Sequence, residues 1–388
     1  MGALQGLKIL DFSTLLPGPY STMVMADMGA QVLRVCFKDM HGPLDDAPPF
    51  VKGTAFSASA AWLGRNKRSM FLNLKHPGAY EVVCRLLGEY DIIFEQFRPG
   101  VMQRLGFGYD KLKTVNPRLI YCSLTGYGQS GAMRANAGHD INYLARSGLM
   151  QWSGRASDGP AMSVQISDFF GSMNVVTGIL AAVIHRFSTG EGQYIDISMR
   201  DSVIPLNSSY GAALLAGNPP PRREGERLNG GGLYDFYETK DGQYISVGAL
   251  EQKFFENFCD ALGVPELASL TSSPSDGGAA KEVVRERFLT KTLEQWTQIF
   301  KDADACVEPV MQMQDAFDTD DRDMIVDVPL PVGGGTVRQM GNPIKMSVSP
   351  PEYLHAAHRA GEDTRDVMES LGYGEDDFAA FERDGLFD

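Results

Sequence analysis

Short β-like runs alternate with helical patterns through the first two hundred residues, and this alternation limits the chain to few folds. The β-like runs are KILDFS (8–13), QVLRVCF (31–37), RSMFLNLK (68–75), DIIFEQF (91–97) and LIYCSLTGY (119–127). Strands separated by helices of this length form βαβ units, in which successive strands lie parallel. We therefore predict an α/β protein with a large Rossmann-like parallel sheet.

The pattern changes near residue 233. Two β-like runs flank Lys240-Asp241-Gly242, which is typical of a hairpin, and amphipathic helices follow near 251–262 and 280–303. We predict a large α/β domain over 1–217, a linker over 218–232, a small α+β domain over 233–325, a loop-rich linker over 326–351, and C-terminal helices over 352–388 that return to the large domain.

The charge balance excludes some classes of partner. The chain has 35 Lys and Arg against 49 Asp and Glu, a formal net charge of −14. Such a chain does not favour nonspecific binding to nucleic acid or anionic membrane, although a local basic patch could hold a small anion. The longest apolar stretch, 175–184, is shorter than the ~20 residues that span a membrane.

The cysteines and the amino terminus indicate a cellular location. The five cysteines are widely spaced and form no CxxC pair, which fits a reducing compartment better than a disulfide framework or a zinc site. The amino terminus has no charged region followed by a long apolar core. We expect a soluble, cytoplasmic protein without a membrane span.

Two common nucleotide-binding motifs are absent from the sequence. No GxxxxGK[ST] string occurs, and the turn after the first predicted strand, Ser13 to Pro19, lacks the three glycines that let a backbone approach a pyrophosphate. The sequence therefore disfavours nicotinamide chemistry.

Three residues are candidates for acid/base chemistry, and each also has an ordinary structural interpretation. His139 could be a general base near neutral pH, or a helix-start histidine hydrogen-bonded to backbone. Asp168 could be a nucleophile or an acid/base group, or an N-cap of the helix that follows. The free N–H groups at that helix start could form an oxyanion hole. Glu251 could be catalytic, or a first-turn glutamate favoured by the helix dipole.

Basic residues recur near the ends of predicted strands. Each of them is ordinary surface charge by default, but a cluster at the carboxyl edge of a parallel sheet would form a phosphate pocket. The candidates are Arg34, Lys67, Arg68, Arg98 and Arg104.

Several longer strings resemble the family III CoA-transferases, a family that also contains the α-methylacyl-CoA racemases. The strings are LQGLKILDFSTLLPGPYSTMVMADMGAQVLRV, RNKRSMFLNLK, FRPGVMQRLGFGYDKL, NPRLIYCSLTGYGQSG, TGEGQYIDISMRD, DGQYISVGALEQKFF and DACVEPV. They follow in order from about residue 4 to residue 375, so the resemblance covers nearly the whole chain.

The resemblance implies roles for the three candidates. Asp168 falls at the aspartate that attacks an acyl-CoA thioester in the transferases, and the racemases keep this aspartate. GHDINYLARSG and VGALEQKFF are similar to the racemase segments that supply a histidine and a glutamate, here His139 and Glu251. By this resemblance the protein is a 2-methylacyl-CoA racemase that works through an enolate. His139 and Asp168 would exchange protons on opposite faces, and Glu251 would come from the partner subunit.

The resemblance also implies the binding partners. The CoA part of the substrate would lie on the large domain, with Arg34, Lys67, Arg98 and Arg104 as contacts, and no metal or prosthetic group would be needed. The protein would be an interlocked homodimer. A methionine-rich lining (Met23, Met25, Met199) would accommodate the acyl chain, unless these methionines belong to the ordinary core.

Two other functions compete with the racemase. In a CoA-transferase, Asp168 would form a mixed anhydride and then an aspartyl-CoA thioester, with a carboxylic acid as second substrate. In a non-enzymatic alternative, the protein would be an acyl-CoA-binding or regulatory dimer with a decayed site.

The sequence departs from the racemase pattern in three places. Cys36-Phe37-Lys38 stands where racemases read Asp-Arg-Pro, and Asn229-Gly230-Gly231-Gly232 replaces Leu-Asp-Gly-Gly. The segment 45–59, within the Pro/Gly/Ala-rich stretch 42–61, has no counterpart in the pattern.

Overall fold

A computed structural model describes residues 2–37, 47–54, 56–161, 164–269, 277–331 and 334–388. The chain forms two compact units. Unit 1 comprises Met1–Tyr143, Gln165–Val203 and Asp320–Asp388, and unit 2 comprises Leu144–Val164 and Ile204–Thr319. The domain boundaries predicted from the sequence stay predictions.

The strands are β1 (Lys8–Asp11), β2 (Gln31–Cys36), β3 (Lys67–Phe71), β4 (Ile92–Glu95), β5 (Ile120–Thr125), β6 (Tyr194–Ser198), β7 (Asp235–Glu238), β8 (Tyr244–Val247), β9 (Val307–Pro309), β10 (Ile325–Pro329) and β11 (Thr336–Met340). The first six form one sheet in the order β3-β2-β1-β4-β5-β6. Every neighbouring pair in this sheet is parallel, which confirms the predicted α/β class.

The α-helices are α1 (Pro17–Asp27), α2 (Ala58–Leu63), α3 (Ala79–Leu86), α4 (Val101–Leu105), α5 (Tyr109–Leu112), α6 (Asp140–Arg146), α7 (Leu149–Trp152), α8 (Ile166–Thr189), α9 (Met199–Val203), α10 (Ser208–Leu215), α11 (Gln252–Leu262), α12 (Gly277–Phe288), α13 (Leu293–Phe300), α14 (Met313–Asp318), α15 (Thr364–Ser370) and α16 (Glu375–Asp384). Short 3₁₀ helices occupy Ile204–Asn207 and Pro265–Ser269.

Both faces of the parallel sheet are covered by apolar core residues. This is why its strands have continuous apolar sequences. Along β4, Ile93 packs into one core cluster while Ile92 and Phe94 pack into another on the opposite face. Strands of parallel sheets are normally covered on both faces in this way. The second cluster includes the buried residues of α1 and α8, so these two helices cover the same face of the sheet.

Helix α8 is long and apolar enough to cross a membrane by length and composition alone, with a mean hydropathy of 1.5 over its most apolar window. Its residues Val175, Ile179 and Val183 are buried in the unit 1 core. A core helix of a globular domain satisfies the same criteria, so this feature does not establish a membrane span.

Unit 2 contains a three-stranded antiparallel sheet in the order β7-β8-β9. The predicted hairpin is confirmed, since β7 and β8 pair antiparallel on either side of Lys240-Asp241-Gly242. Helices α11, α12 and α13 pack on one face of this sheet and bury Phe258, Phe288 and Trp296.

The prediction of a loop-rich segment over 326–351 was wrong for its first half. Strands β10 and β11 form a two-stranded antiparallel ribbon there, with Ile325 opposite Met340. The glycines and prolines between the two short strands obscured the alternation of Val-Asp-Val and Val-Arg-Gln in the sequence.

Candidate active site

Helix α8 presents Asp168 from its first turn without using the side chain as a cap. The N-cap residue is Gln165, so Asp168 is the third helical residue. The carboxylate of Asp140 accepts the backbone N–H groups of Ser167 at 2.7 Å and of Asp168 at 3.2 Å. The interpretation of Asp168 as an N-cap is therefore wrong, because Asp140 performs that function from the start of α6.

The environment of Asp168 favours its protonated form. Burial raises the pKa of this carboxyl from 3.8 to about 6, the negative charge of Asp140 adds to the rise, and a charged His139 opposes it. Within the described residues, the carboxylate of Asp168 makes no hydrogen bond. Asp168 can therefore gain or lose a proton close to neutral pH.

His139 lies immediately before α6. Its charge acts on the carboxyl of Asp168, so the two side chains lie near each other in unit 1. The backbone N–H of His139 donates to Oδ1 of Asn142 at 3.0 Å, and its carbonyl accepts the N–H of Asn142 at 2.8 Å. The imidazole ring is exposed and makes no hydrogen bond to the described parts of the chain. The alternative interpretation of His139, in which its ring is hydrogen-bonded to backbone, therefore does not apply in this structure.

Tyr143 holds the loop that carries His139. Its hydroxyl donates to the carbonyl of Gly138, and its ring packs edge-on against Tyr127 at 5.1 Å. A side chain at Gly138 would overlap the Tyr143 ring, which explains the glycine at that position. Burial raises the pKa of Tyr143 to about 12, so it donates this hydrogen bond at all ordinary pH values.

Three N–H groups at the start of α8 are not free to form the predicted oxyanion hole. Those of Ser167 and Asp168 donate to Asp140, and that of Phe169 donates to the carbonyl of Gln165 at 3.2 Å. Donors already engaged in this way do not also serve a developing enolate oxygen.

Glu251 belongs to unit 2, where it is the N-cap residue of α11. Its side chain makes no capping hydrogen bond and is exposed. Its charge contributes to the raised pKa of Cys306, after the larger effect of burial, so the two side chains lie near each other. The sequence predicted Glu251 in the first turn of the helix, whereas it lies one residue earlier, at the N-cap. Its carboxylate does not cap the helix.

Three of the four predicted CoA contacts are arginines of unit 1. Arg34 lies on β2 opposite Asp11 and Ser69 and is partly buried. Arg98 follows β4 and is exposed, and its charge lowers the pKa of Tyr143 against the larger effect of burial. Arg98 therefore lies within electrostatic range of the loop that carries His139.

Arg104 is exposed in the last turn of α4. A side chain at Gly100 would contact Nη1 of Arg104 at 3.1 Å, so this guanidinium folds back over the start of its own helix. The roles of these arginines stay predictions.

Lys67, the fourth predicted contact, has a different environment. It opens β3 opposite Val32 and is 2% exposed. Its ammonium donates to the carbonyl of Pro19 at 2.8 Å and to Thr22 at 2.6 Å, and lies 3.5 Å from Asp11. Burial lowers its pKa to about 8. Its contact with CoA stays a prediction, and these bonds give the ammonium a structural use.

The methionines predicted to line an acyl site lie in the core. Met23, Met25 and Met199 are between 0% and 6% exposed and pack in the cluster beneath α1 and α8. The ordinary-core alternative applies to them, because Met23 and Met25 of α1 and Met199 of α9 all pack inside this cluster.

The structure describes only some of the residues at which the sequence departs from the racemase pattern. Phe37 is partly buried, and its ring packs against Phe97 at 6.1 Å. Lys38 and the stretch 42–46 lie outside the described residues.

Comparison with known proteins places this arrangement in a family. The sequence pattern of CoA-transferase family III matches residues 4–364. The chain belongs to CoA-transferase family III. Enzymes of this family act on CoA thioesters, so the chain is an acyl-CoA enzyme of the racemase or CoA-transferase type.

Individual relatives include both activities. The chain is 38% identical to a human protein named alpha-methylacyl-CoA racemase over 82% of this chain and 80% of that protein. It is 31% identical to human succinyl-CoA:glutarate CoA-transferase over 92% of this chain and 82% of that protein. A CAIB/BAIF family protein from Brucella suis has the same fold, with a TM-score of 0.82 and 25% identity over 95% of this chain and 99% of the other.

Proposed function

We propose that the protein is a racemase that interconverts the (2R) and (2S) forms of 2-methylacyl-CoA thioesters. The observation that carries this proposal is that His139 and Asp168 lie within electrostatic range of each other in unit 1, where the pKa of Asp168 is raised to about 6. Both side chains are left without hydrogen bonds by the described fold, so both are available for proton transfer. The similarity to the human racemase supports the same reaction.

The reaction requires one base and one acid on opposite faces of the α-carbon. The base removes the α-proton, and the C–H electron pair moves toward the thioester carbonyl to give an enolate. The acid then donates a proton to the other face, which inverts the centre. An acid/base pair works best in both directions when its pKa values lie close to the operating pH, and the raised pKa of Asp168 meets this condition.

The pKa of Asp168 also bears on the transferase alternative. A carboxyl nucleophile must be ionised to attack a thioester, and a pKa of about 6 leaves Asp168 largely ionised at neutral pH, as that reaction requires. The similarity to the human transferase keeps this reaction as the second candidate. It would show as dependence on a carboxylic acid acceptor.

Glu251 and the basic residues complete the proposal. We assign Glu251, in the partner subunit of a homodimer, to orienting the acid/base pair, and Arg98, Arg104 and Arg34 to the CoA part of the substrate. A dimer is supported by the exposed apolar side chains of α8, where Ile184 is 67% and Phe187 is 80% exposed. Light scattering of the full chain tests the dimer. A cytoplasmic location accords with its five free cysteines.

Single-enantiomer substrates in deuterated water test the acid/base assignment. The wild type should take up α-deuterium from both enantiomers. His139→Ala and Asp168→Asn should each lose racemisation by about 10²- to 10⁴-fold, the usual contribution of one acid/base group. Each variant should still exchange the proton of one enantiomer, and the two variants should prefer opposite enantiomers. Undiminished racemisation by His139→Ala would contradict the assignment.

A further inference from the structure

Glu95 is a buried carboxylate in unit 1 to which the reaction described above assigns no role. It is the last residue of β4 and is 4% exposed. Its register partner on β5 is Ser123. The carboxyl ends of parallel strands form the edge of the sheet at which α/β folds bind their ligands. A carboxylate buried at this edge needs polar partners, and the partners of Glu95 show what it holds in place.

Glu95 belongs to a short network in which each donor has its own acceptor. One carboxylate oxygen, Oε2, accepts the backbone N–H of Phe97 at 2.7 Å, and Oε1 accepts the hydroxyl of Ser123. The Ser123 oxygen in turn accepts the hydroxyl of Tyr194 at 3.0 Å. Burial raises the pKa of Tyr194 to about 12, so Tyr194 stays a donor. Among the described residues no cation pairs with Glu95, so these hydrogen bonds stabilise its charge.

The network requires the ionised form of Glu95. A protonated carboxyl, or a glutamine, keeps one oxygen as an acceptor and turns the other group into a donor. The N–H of Phe97 cannot reverse, so Ser123 would have to accept from both Glu95 and Tyr194. Its own hydroxyl would then have no acceptor in the network. Buried donors without acceptors are costly, so the turn at 95–97 is held most firmly when Glu95 is ionised.

This turn lies immediately before Arg98. On the other side, Pro99 disfavours a helical backbone at Arg98, and the N–H of Val101 donates to the carbonyl of Arg98 at 3.1 Å. The guanidinium itself is exposed and makes no hydrogen bond within the described part of the chain. Its direction therefore depends on the backbone, which the bond from Phe97 to Glu95 fixes on one side.

Glu95 can change its charge near neutral pH. Burial raises its pKa from 4.5 to about 7; the bonds from Ser123 and Phe97 oppose this rise, and the charge of Asp196 adds to it. Four other titratable side chains interact electrostatically with Glu95: Tyr121 and Cys122 on β5, and Tyr194 and Asp196 on β6. Burial and the charge of Glu95 raise the pKa values of the first three, so these stay neutral while Glu95 titrates.

We propose that ionised Glu95 is a positioning residue that directs Arg98 toward the CoA part of the substrate, so that affinity for CoA falls when Glu95 loses its charge. The proposal rests on the assignment of Arg98 to CoA in the proposed function. Because Glu95 is buried, it acts through the backbone of Phe97 and not by contact with the substrate.

The dissociation constant of CoA, measured by titration calorimetry at about pH 8 and about pH 6, tests the proposal. Arg98→Ala should raise Kd by about tenfold or more, as expected for the loss of a charge-assisted hydrogen bond. Glu95→Gln should raise Kd by about three- to tenfold at the higher pH. At the lower pH it should have almost no effect, because Glu95 of the wild type is then mostly protonated. Titration of the CoA phosphates affects both proteins equally and cancels in the ratio of their Kd values.

A combined variant separates positioning from a general loss of structure. Glu95→Gln should add nothing to the effect of Arg98→Ala, because both changes remove the same interaction. Glu89→Gln, which removes a more exposed carboxylate near the opposite end of β4, is the matched control and should leave Kd unchanged. Further weakening by Glu95→Gln in the Arg98→Ala protein, or an effect of Glu95→Gln that is independent of pH, overturns the proposal.

Ser123→Ala tests the same role without changing Glu95. It keeps the carboxylate and the bond from Phe97, and it removes a hydroxyl that lowers the pKa of Glu95. The pH at which CoA affinity falls should therefore move upward, with the affinity of the wild type retained above it. An unmoved pH dependence overturns the proposal.

The variants also distinguish this proposal from the one on which it rests. An unchanged Kd in Arg98→Ala would refute the assignment of Arg98 to CoA, and the role of Glu95 with it. Weaker binding by Arg98→Ala, with an unchanged Kd in Glu95→Gln at the higher pH, would refute the positioning role alone.

Discussion

Replacing Asp168 with asparagine should lower the rate of racemisation by about 10²- to 10⁴-fold and stabilise the protein at alkaline pH. The carboxyl has a pKa of about 6 in the native state against 3.8 for the ordinary side chain. Ionised Asp168 therefore costs folding free energy, mainly because the carboxylate is withdrawn from water. Asparagine has nearly the same shape and carries no charge, and no hydrogen bond to the described chain is lost.

The magnitude follows from the difference between the two pKa values. Each unit of pKa corresponds to about 1.36 kcal/mol, which gives an upper limit of about 3 kcal/mol above pH 6. Asp168 is only half-buried, so solvent screening reduces this to about 1–2 kcal/mol. The native state binds the proton more tightly than the unfolded chain. Stability of the wild type therefore falls as pH rises from 3.8 through about 6.

Urea denaturation at about pH 8 and about pH 5 measures this effect. Asp168→Asn should raise the free energy of unfolding by about 1–2 kcal/mol at the higher pH and by about half as much at the lower. Asp168→Glu keeps the charge and serves as the control. A variant less stable than the wild type at pH 8, or a difference independent of pH, would refute the electrostatic reasoning.

Two further substitutions test the support of the site. Asp140→Ala should lower the free energy of unfolding by about 1 kcal/mol, because the first turn of α8 loses its cap. The same change should move the acidic limb of the pH–rate profile to lower pH, since the charge of Asp140 raises the pKa of Asp168; an unmoved limb would contradict this. Tyr143→Phe should cost about 1 kcal/mol through loss of the bond to Gly138. It should also lower kcat with little change in KM, and an unchanged kcat would mean that the loop needs no such anchor.

The sequence predicted the elements whose formation depends on local pattern. The alternation of short β-like runs with helical patterns predicted parallel strands, because strands separated by helices of this length form βαβ units. Lys240-Asp241-Gly242 predicted the hairpin, because its residues favour a tight turn. The motifs around His139 and Asp168 predicted the candidate site, whose catalytic roles stay predictions.

The support of the site depends on contacts that local pattern does not encode. Asp140 caps a helix that begins 26 residues later in the chain, and nothing in GHDINYLARSG distinguishes this carboxylate from a solvent-exposed one. The burial of Lys67 depends on Asp11 of another strand.

The paired environment of Lys67 and Asp11 also separates two kinds of basic residue in this fold. The ammonium of Lys67 is buried and donates a hydrogen bond to α1, whereas Arg98 and Arg104 are exposed. In the sequence, both kinds of basic residue lie near the ends of predicted strands. Only the register, which puts Lys67 at the start of β3, distinguishes them.

The most direct test of the account is a single incubation of the wild type in deuterated water. One enantiomer of a 2-methylacyl-CoA is followed by mass spectrometry and chiral analysis, with and without a free carboxylic acid. The account predicts α-deuterium uptake with loss of chirality in both samples. Absence of uptake, together with a new acyl-CoA that forms only when the acid is present, would contradict it and identify Asp168 as the nucleophile of a transferase.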